Sequence, residues 1–263
     1  MPLKLWEQEW DAGAEKARQT HPIKELKVLP QIPGINETGL KWKSLKWMIT
    51  HDEKGEVRRG IFKHPLKYGW AFLKSLFKKK AYRREGDFFL YGIPDLHAFE
   101  KLLKQPDALF VLGFSYCHKP FECPSGRFTA ACQADPENPI CRQCFIGKAV
   151  HLSPRERTFP LFIPTVHYIG GKIFEIAHAN PGKPIVFMIT ACEMTLEMFG
   201  DWGNMVGIRG IGVRLDGRIC NTMRMFELSE RGVKPGLTVV LEPTKAKMLA
   251  WIHQWKENIG TTS

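Results

Sequence analysis

The 263-residue chain is 44% hydrophobic and 25% charged, a composition that excludes a disordered protein and is sufficient for a sizeable core. It has no run of roughly 18 apolar residues, which excludes an ordinary membrane-spanning helix. Its net charge of +11 is concentrated in residues 41–85, where 14 Lys+Arg face 4 Asp+Glu, so basicity belongs to one surface.

In chain order, the start MPLKLWEQEWDAGAEK is charged and lacks an apolar h-region, so no export signal is expected. The expected compartment is a reducing cytoplasm, where thiols serve as metal ligands or catalysts more often than as disulfides. Residues 1–40 read as mixed and loosely structured, with QIPGINETG as turn. KWKSLKWMI (41–49) interleaves Trp42, Leu45, Trp47 and Ile49 with lysines, and HDEKGEVRRG turns around Gly55. In PLKYGWAFLKSLFKKKAY (65–82), Leu66, Trp70, Leu73 and Phe77 recur at helical spacing, and Pro65 suits a first turn. Lys67, Lys74, Lys78, Lys79 and Lys80 lie mostly off that stripe. Such a basic amphipathic helix either packs its stripe on the main domain or lies in the headgroup region of an anionic membrane through residues 61–85. Basic and aromatic residues also alternate in single-strand nucleic-acid grooves, but no motif of a known reader is present and nucleic acid is not the expected partner.

From about residue 87 short apolar runs alternate with helical segments. Strands are expected at 87–92, 108–116, 161–170, 184–192, 205–215 and 237–243. Helices are expected at 96–105, 141–152, 172–180, 194–199, 221–232 and 245–259. This order implies an α/β fold: a mostly parallel, Rossmann-like sheet with helices on both faces over residues 86–263, preceded by a basic helical extension over residues 1–85.

The stretch that organises the chain is CHKPFECPSGRFTAACQADPENPICRQC (117–144), which holds five of the seven cysteines. Pro120, Pro124, Pro136, Pro139 and Gly126 prevent a long helix or central strand there. A long irregular loop in a compact domain is usually functional or held from outside the backbone. Cys117, Cys123, Cys132, Cys141 and Cys144 are therefore candidate ligands for a soft metal or an iron–sulfur cluster, with a 4Fe-4S cluster expected and zinc the alternative. The lone close pair, Cys141-x2-Cys144, favours the cluster over a zinc ribbon, which needs two such pairs. His118 is a further candidate ligand.

The other thiols fall at strand ends. Cys192 ends the strand 184–191 and Cys220 lies just past the strand 205–215, on the same edge as Cys117, which directly follows the strand 108–116. Ligands of open α/β sheets bind at this carboxyl edge. Cys192, Cys220 and the adjacent Glu193 are the catalytic candidates, and Asn221 and Thr222, which open a helix, are candidate ligand contacts or plain caps. Seven thiols exceed what one centre uses. Four loop ligands with Cys192 and Cys220 beside a substrate, a three-cysteine cluster with an open iron, and two metal centres all remain open. No G-x-S-x-G, Walker A or G-x-G-x-x-G occurs, so hydrolase and nucleotide readings lack support.

The run Cys117…Cys123-Pro124…Cys141-x2-Cys144-x-Ile146-Gly147, then ITACEMTLEMF (189–199), then GVRLDGRICNT (212–222), resembles the "domain of unknown function 116" proteins of bacteria and archaea. The resemblance covers about residues 108–225, and the chain departs from the pattern at Ile219, where the family has glycine. It implies a cytoplasmic metal-thiolate or iron–sulfur protein near redox or radical chemistry. Two functions are carried forward. One is redox or sulfur handling on a small molecule, with a redox partner protein, peripheral to the inner face of a membrane. The other is an accessory module whose structural zinc folds the loop.

Overall fold

The computed structural model describes residues 3–26, 34–77, 80–234 and 236–260. Four helices come first: α1 (Leu3–Thr20), α2 (Leu40–Thr50), α3 (Glu56–Lys63) and α4 (Pro65–Leu76). A hairpin, β1 (Arg83–Glu85) and β2 (Phe88–Tyr91), leads to α5 (Leu96–Leu103) and β3 (Leu109–Ser115). After a 3-10 turn at Tyr116–His118 and an irregular stretch come α6 (Pro139–Gln143), α7 (Phe145–Leu152), β4 (Thr158–Ile163) and α8 (Val166–Ala179). Then follow β5 (Ile185–Ala191), α9 (Glu193–Val206), β6 (Arg209–Arg214), β7 (Asp216–Gly217), α10 (Met223–Glu230), β8 (Thr238–Val239) and α11 (Glu242–Gly260).

The sheet runs β1-β2-β6-β5-β3-β4. β3 to β6 are mutually parallel, and the β1–β2 hairpin adds antiparallel on β6. Successive side chains of a strand point to opposite faces, so each central strand feeds two cores. Phe110, Leu112, Met188 and Ile211 pack on one side with Phe99, Trp251 and Trp255 of α5 and α11. Val111, Phe187 and Ile189 pack on the other with Ile173 and Leu196 of α8 and α9. Both faces are covered, which is why these strands read as continuous apolar runs. The chain leaves β3 to place β4 on one side and β5 on the other, making the carboxyl ends of β3 and β5 the switch point where open α/β sheets form their crevice.

Several expectations are corrected. Residues 1–40 hold an 18-residue helix, α1, packed on α6. Trp10 is buried there, stacked by the Arg142 guanidinium at 4.5 Å, and Lys148 reaches Asp11 at 2.7 Å. The strand expected over 161–170 stops at Ile163. Pro164 disfavours continuation, and the Thr165 hydroxyl accepts the Tyr168 N–H (3.2 Å), so Val166–Ile169 become the first turn of α8. The helix expected at 194–199 extends to Val206 and takes the first residues of the expected strand 205–215; Asp201 is buried on it and accepts from Ser75 (2.9 Å) and Lys41 (3.2 Å). The run 237–243 pairs for only two residues, with β7, before α11 begins.

Residues 1–85 do not form a single arm. α1 braces the cysteine-rich side, while α3 packs on α8 and α4 on α9. The expected helix 65–82 ends at Leu76; Lys78 and Lys79 lie outside the described residues. No helix among the described residues is long and apolar enough to cross a membrane.

Candidate thiol site at the carboxyl edge

The seven cysteines, all unpaired as disulfides, separate into two sets. Cys123, Cys132, Cys141 and Cys144 line one narrow cavity with Ile140, Ile146, Gly147 and Lys119. Cys117, Cys192 and Cys220 gather around Lys234 at the ends of β3, β5 and β7. The expected five loop cysteines are thus split, because Cys117 belongs to the strand-end set.

The four-thiol set is built on the irregular loop and the start of two short helices. Asn138 caps α6, accepting from the Ile140 and Cys141 N–H groups at 2.9 and 3.3 Å. α7 begins directly after Cys144, and a Cβ on Gly147 would stand 2.4 Å from the Cys141 carbonyl, so only glycine lets the two helices approach this closely. Backbone N–H groups point at three of the four sulfurs. Ile146 and Gly147 donate to Cys144, Ala134 donates to Cys132, and Asp135 and Ala134 donate to Cys141. Ala134 is held at φ 46°, in the left-handed region that disfavours a side chain, which marks this turn as overdetermined by its surroundings.

Lys119 sits at the centre of this loop and is 2% exposed. Its ammonium donates to the carbonyls of Gly126 (3.2 Å), Thr129 (2.9 Å) and Ala131 (2.7 Å) and to the Thr129 hydroxyl (3.1 Å). Every partner is neutral. Burial pulls its pKa down, and among the described residues the groups opposing this are Cys123, Cys132 and Cys144. Burial, with the neighbouring Cys132 and Cys123, pushes Cys144 up to about 12 as a free thiol, against the two N–H groups that favour its thiolate. A buried ammonium with no carboxylate calls for negative charge nearby, and sulfur is the only source at hand.

The second set follows the same rule on a firmer support. Cys192 caps the N-terminus of α9, where the Thr195 N–H and hydroxyl face its sulfur, the hydroxyl at 3.2 Å. Cys220 donates its S–H to Cys192. That hydrogen bond, helped by Lys234 and Thr195, holds the Cys192 thiol well below the ordinary range; the same bond and burial hold Cys220 well above it, against the pull of Lys234. Lys234 is buried and reaches the Cys220 sulfur at 3.5 Å; burial opposes its charge, yet Cys117, Cys192 and Cys220 hold its pKa up. Burial raises Cys117. Arg127 ties the two sets together, donating to the carbonyls of Lys119 (3.2 Å), Cys117 (3.3 Å), Lys234 (3.0 Å) and Gly236 (3.0 Å). Among the described residues none of Lys119, Arg127 and Lys234 forms an ion pair with a carboxylate.

Cys117 and Cys192 line a small chamber of about 40 Å³ with Tyr116, Thr195 and Glu230. Pro164, Thr165 and Glu230 also line an outer vestibule of about 590 Å³, walled by Trp47, His51, Asp52 and His167. The vestibule has the size of a small-molecule site. Glu230, at the junction, accepts the Val166 N–H (2.9 Å), and burial lifts its carboxyl to about 8, helped by Cys192. It is therefore a protonated acid at neutral pH.

The remaining candidates are placed elsewhere. Glu193 turns to Arg84 (2.5 Å) and does not line the chamber. The Thr222 hydroxyl accepts the Met225 N–H (3.4 Å) and caps α10, while the Asn221 carbonyl accepts the Asn36 N–H (2.9 Å). His118 stacks on Phe145, and burial lowers its pKa to about 3, so it is neutral. Sequence reading missed Lys119, Arg127, Glu230 and Lys234. The available signals were Lys119 between Cys117 and Cys123 and Arg127 between Cys123 and Cys132; Glu230 and Lys234 stand in helix and turn, outside the cysteine-rich loop.

Comparison with protein-family models, curated proteins and solved structures finds no match. The arrangement itself therefore carries the functional argument.

Among the described residues no three His, Cys, Asp or Glu side chains are grouped so as to hold a metal ion. A tetrahedral zinc needs four ligands converging on one point. A cluster gives each thiolate its own iron and asks for less convergence. Donor softness, the N–H groups on sulfur and the buried ammonium all suit a thiolate-ligated group. The cavity between the thiols is only about 10 Å³, so the loop has to open for a cluster to enter.

Proposed function

We propose that this chain is an iron–sulfur protein on a Rossmann-like sheet that carries out redox or sulfur-handling chemistry on a small molecule at Cys192 and Cys220. One observation carries the reading: each thiol set surrounds a buried lysine that has no carboxylate partner. Nature's ordinary solution for a buried lysine is a paired acid. Here sulfur stands in that place twice, which supports thiolates as the working form of both sets.

Cys123, Cys132, Cys141 and Cys144 would hold the cluster, which supplies one-electron transfer when bound. The strand-end residues have separate tasks. Cys192 is the nucleophile, because its sulfur is the anionic member of the pair. With a small disulfide as substrate, Cys192 sulfur forms a bond to one substrate sulfur as the substrate S–S bond breaks, and the leaving thiolate takes the Glu230 proton. Cys220, losing its proton to solvent, then attacks the Cys192 sulfur and releases the second thiolate. Two electrons pass from the dithiol to the substrate, and an external reductant such as a redox partner protein restores the thiols. Cys117 and Tyr116 close the chamber floor, and the vestibule holds the body of the substrate.

The test is iron, acid-labile sulfide and visible absorption on protein purified without oxygen, together with turnover of small disulfides. About four iron and four sulfide per chain, abolished by Cys141→Ala with Cys144→Ala and retained in Cys192→Ser, is expected. Colourless protein holding one zinc per chain overturns the cluster and leaves the accessory-module function in front.

A further inference from the structure

The layer formed by α2, α3 and α4 buries Trp47, Met48, Val57 and Tyr68 but presents a second set of apolar side chains outward. Twelve large hydrophobic residues are exposed among the described residues, and seven of them lie between Trp42 and Phe77, so the exposure is localised. Leu66, Trp70, Leu73 and Phe77 fall at i, i+4, i+7 and i+11 along one helical face and are 89%, 73%, 50% and 89% exposed. Phe62, four residues before Leu66, is 73% exposed. The ordinary expectation for such a stripe, packing on the main domain, is reversed.

The reversal is fixed by what α4 turns inward. Tyr68 is buried between α3 and α8, its hydroxyl 3.2 Å from His178 Nε2 and its ring against Phe174. Ser75 is buried on α9 and donates to Asp201 at 2.9 Å. Rolling the helix to hide Trp70 would pull both groups from their partners and leave Asp201 buried beside an apolar face, a penalty that holds the stripe in water.

Charge identifies the occupant. Lys63, Lys67 and Lys74 are exposed beside the stripe, and none forms an ion pair among the described residues. Residues 62–77 contain no Asp or Glu. Aromatic and aliphatic side chains that enter the acyl boundary, flanked by lysines that stay at the headgroups, supply the apolar and electrostatic signals that together anchor a peripheral protein. We infer that α4, with Phe62 and the flanking lysines, is a membrane-docking face that lies along the surface of an anionic phospholipid bilayer. The inference stands whatever the thiols bind. The same layer supplies Trp47, His51 and Asp52 to the vestibule wall, so docking and substrate entry share one structural unit.

Flotation of the full chain with phosphatidylcholine vesicles, with and without phosphatidylglycerol, tests it. Binding to the anionic vesicles is expected, with partition onto the neutral ones weaker by about tenfold or more. Leu66→Glu with Trp70→Glu is expected to lower binding by about tenfold or more without changing thermal unfolding, because both side chains are solvent-exposed. Lys63→Glu, Lys67→Glu and Lys74→Glu together are expected to do the same. The inference is overturned if the chain ignores anionic vesicles, or if the Leu66/Trp70 variant binds as the parent does. It is also overturned if the parent forms a concentration-dependent dimer that this variant dissolves, which would make the face a self-association surface.

Discussion

The two thiol sets pose the same electrostatic problem on different supports. Lys119 and Lys234 are both buried among sulfurs without a carboxylate. Lys119, however, organises a loop with little regular structure, and its four hydrogen bonds to neutral groups of residues 126–131 are what fold that loop. Lys234 meets thiols already fixed by strand ends and by the first turn of α9. One set depends on its charges for shape and the other only for chemistry. The same residue types thus serve as a structural scaffold in one set and as a tuned reagent in the other.

The largest effect that would break this comparison is at Lys119. Lys119→Met removes every hydrogen bond of the ammonium and leaves buried carbonyls without a donor, an expected loss of about 3–5 kcal/mol. Urea unfolding and limited proteolysis between residues 120 and 138 read it. Lys234→Met should leave the loop resistant to proteolysis and act on Cys192 reactivity; equal damage to the loop from both variants would dissolve the distinction. Next is removal of any bound metal by a chelator under reducing conditions. The loop should become protease-sensitive while far-ultraviolet dichroism, dominated by the sheet and its covering helices, changes little.

Cys220→Ala sharpens the reagent side. A hydrogen bond to a charged sulfur contributes about 1.5–3 kcal/mol, so the Cys192 pKa should rise by roughly one to two units. Iodoacetamide labelling of Cys192 against pH measures this, and an unchanged midpoint would transfer the lowering to Lys234 and Thr195. Glu230 predicts a pH dependence of stability. Its folded pKa, about 8, exceeds its unfolded value of 4.5, so the native state binds the extra proton and stability falls as pH rises through that window. Glu230→Gln should flatten the fall in urea midpoint between pH 5 and pH 9 and make the variant the more stable protein at the alkaline end. The smallest effect belongs to Glu193. Its exposed pair with Arg84 makes Glu193→Gln worth under about 0.5 kcal/mol, with Cys192 labelling unchanged.

How much of this was legible follows from the range of each signal. The apolar runs at 108–116 and 184–192 identified central strands because burial on both faces writes itself into consecutive residues. The strand ends then placed Cys117, Cys192 and Cys220 on one edge correctly. Run LTVVLEP reads as well as any strand, yet it pairs for two residues, since pairing is decided by what lies beside it. Pro164 as a strand stop and Thr165 as a helix cap are both local signals, legible in the sequence.

The sequence by itself determined an α/β sheet, its carboxyl edge, a loop too rich in proline and cysteine to be ordinary, and a localised basic surface. These are written in neighbouring residues, through periodicity, turn chemistry and charge density. Tertiary structure alone decided that Cys117 leaves the loop set, that two lysines and an arginine neutralise sulfur inside the protein, that Glu230 guards the chamber, and that the stripe of α4 faces water. Those facts depend on groups up to 126 residues apart in the chain, such as Ser75 and Asp201, whose meeting is fixed by packing and desolvation and leaves no mark on either neighbourhood.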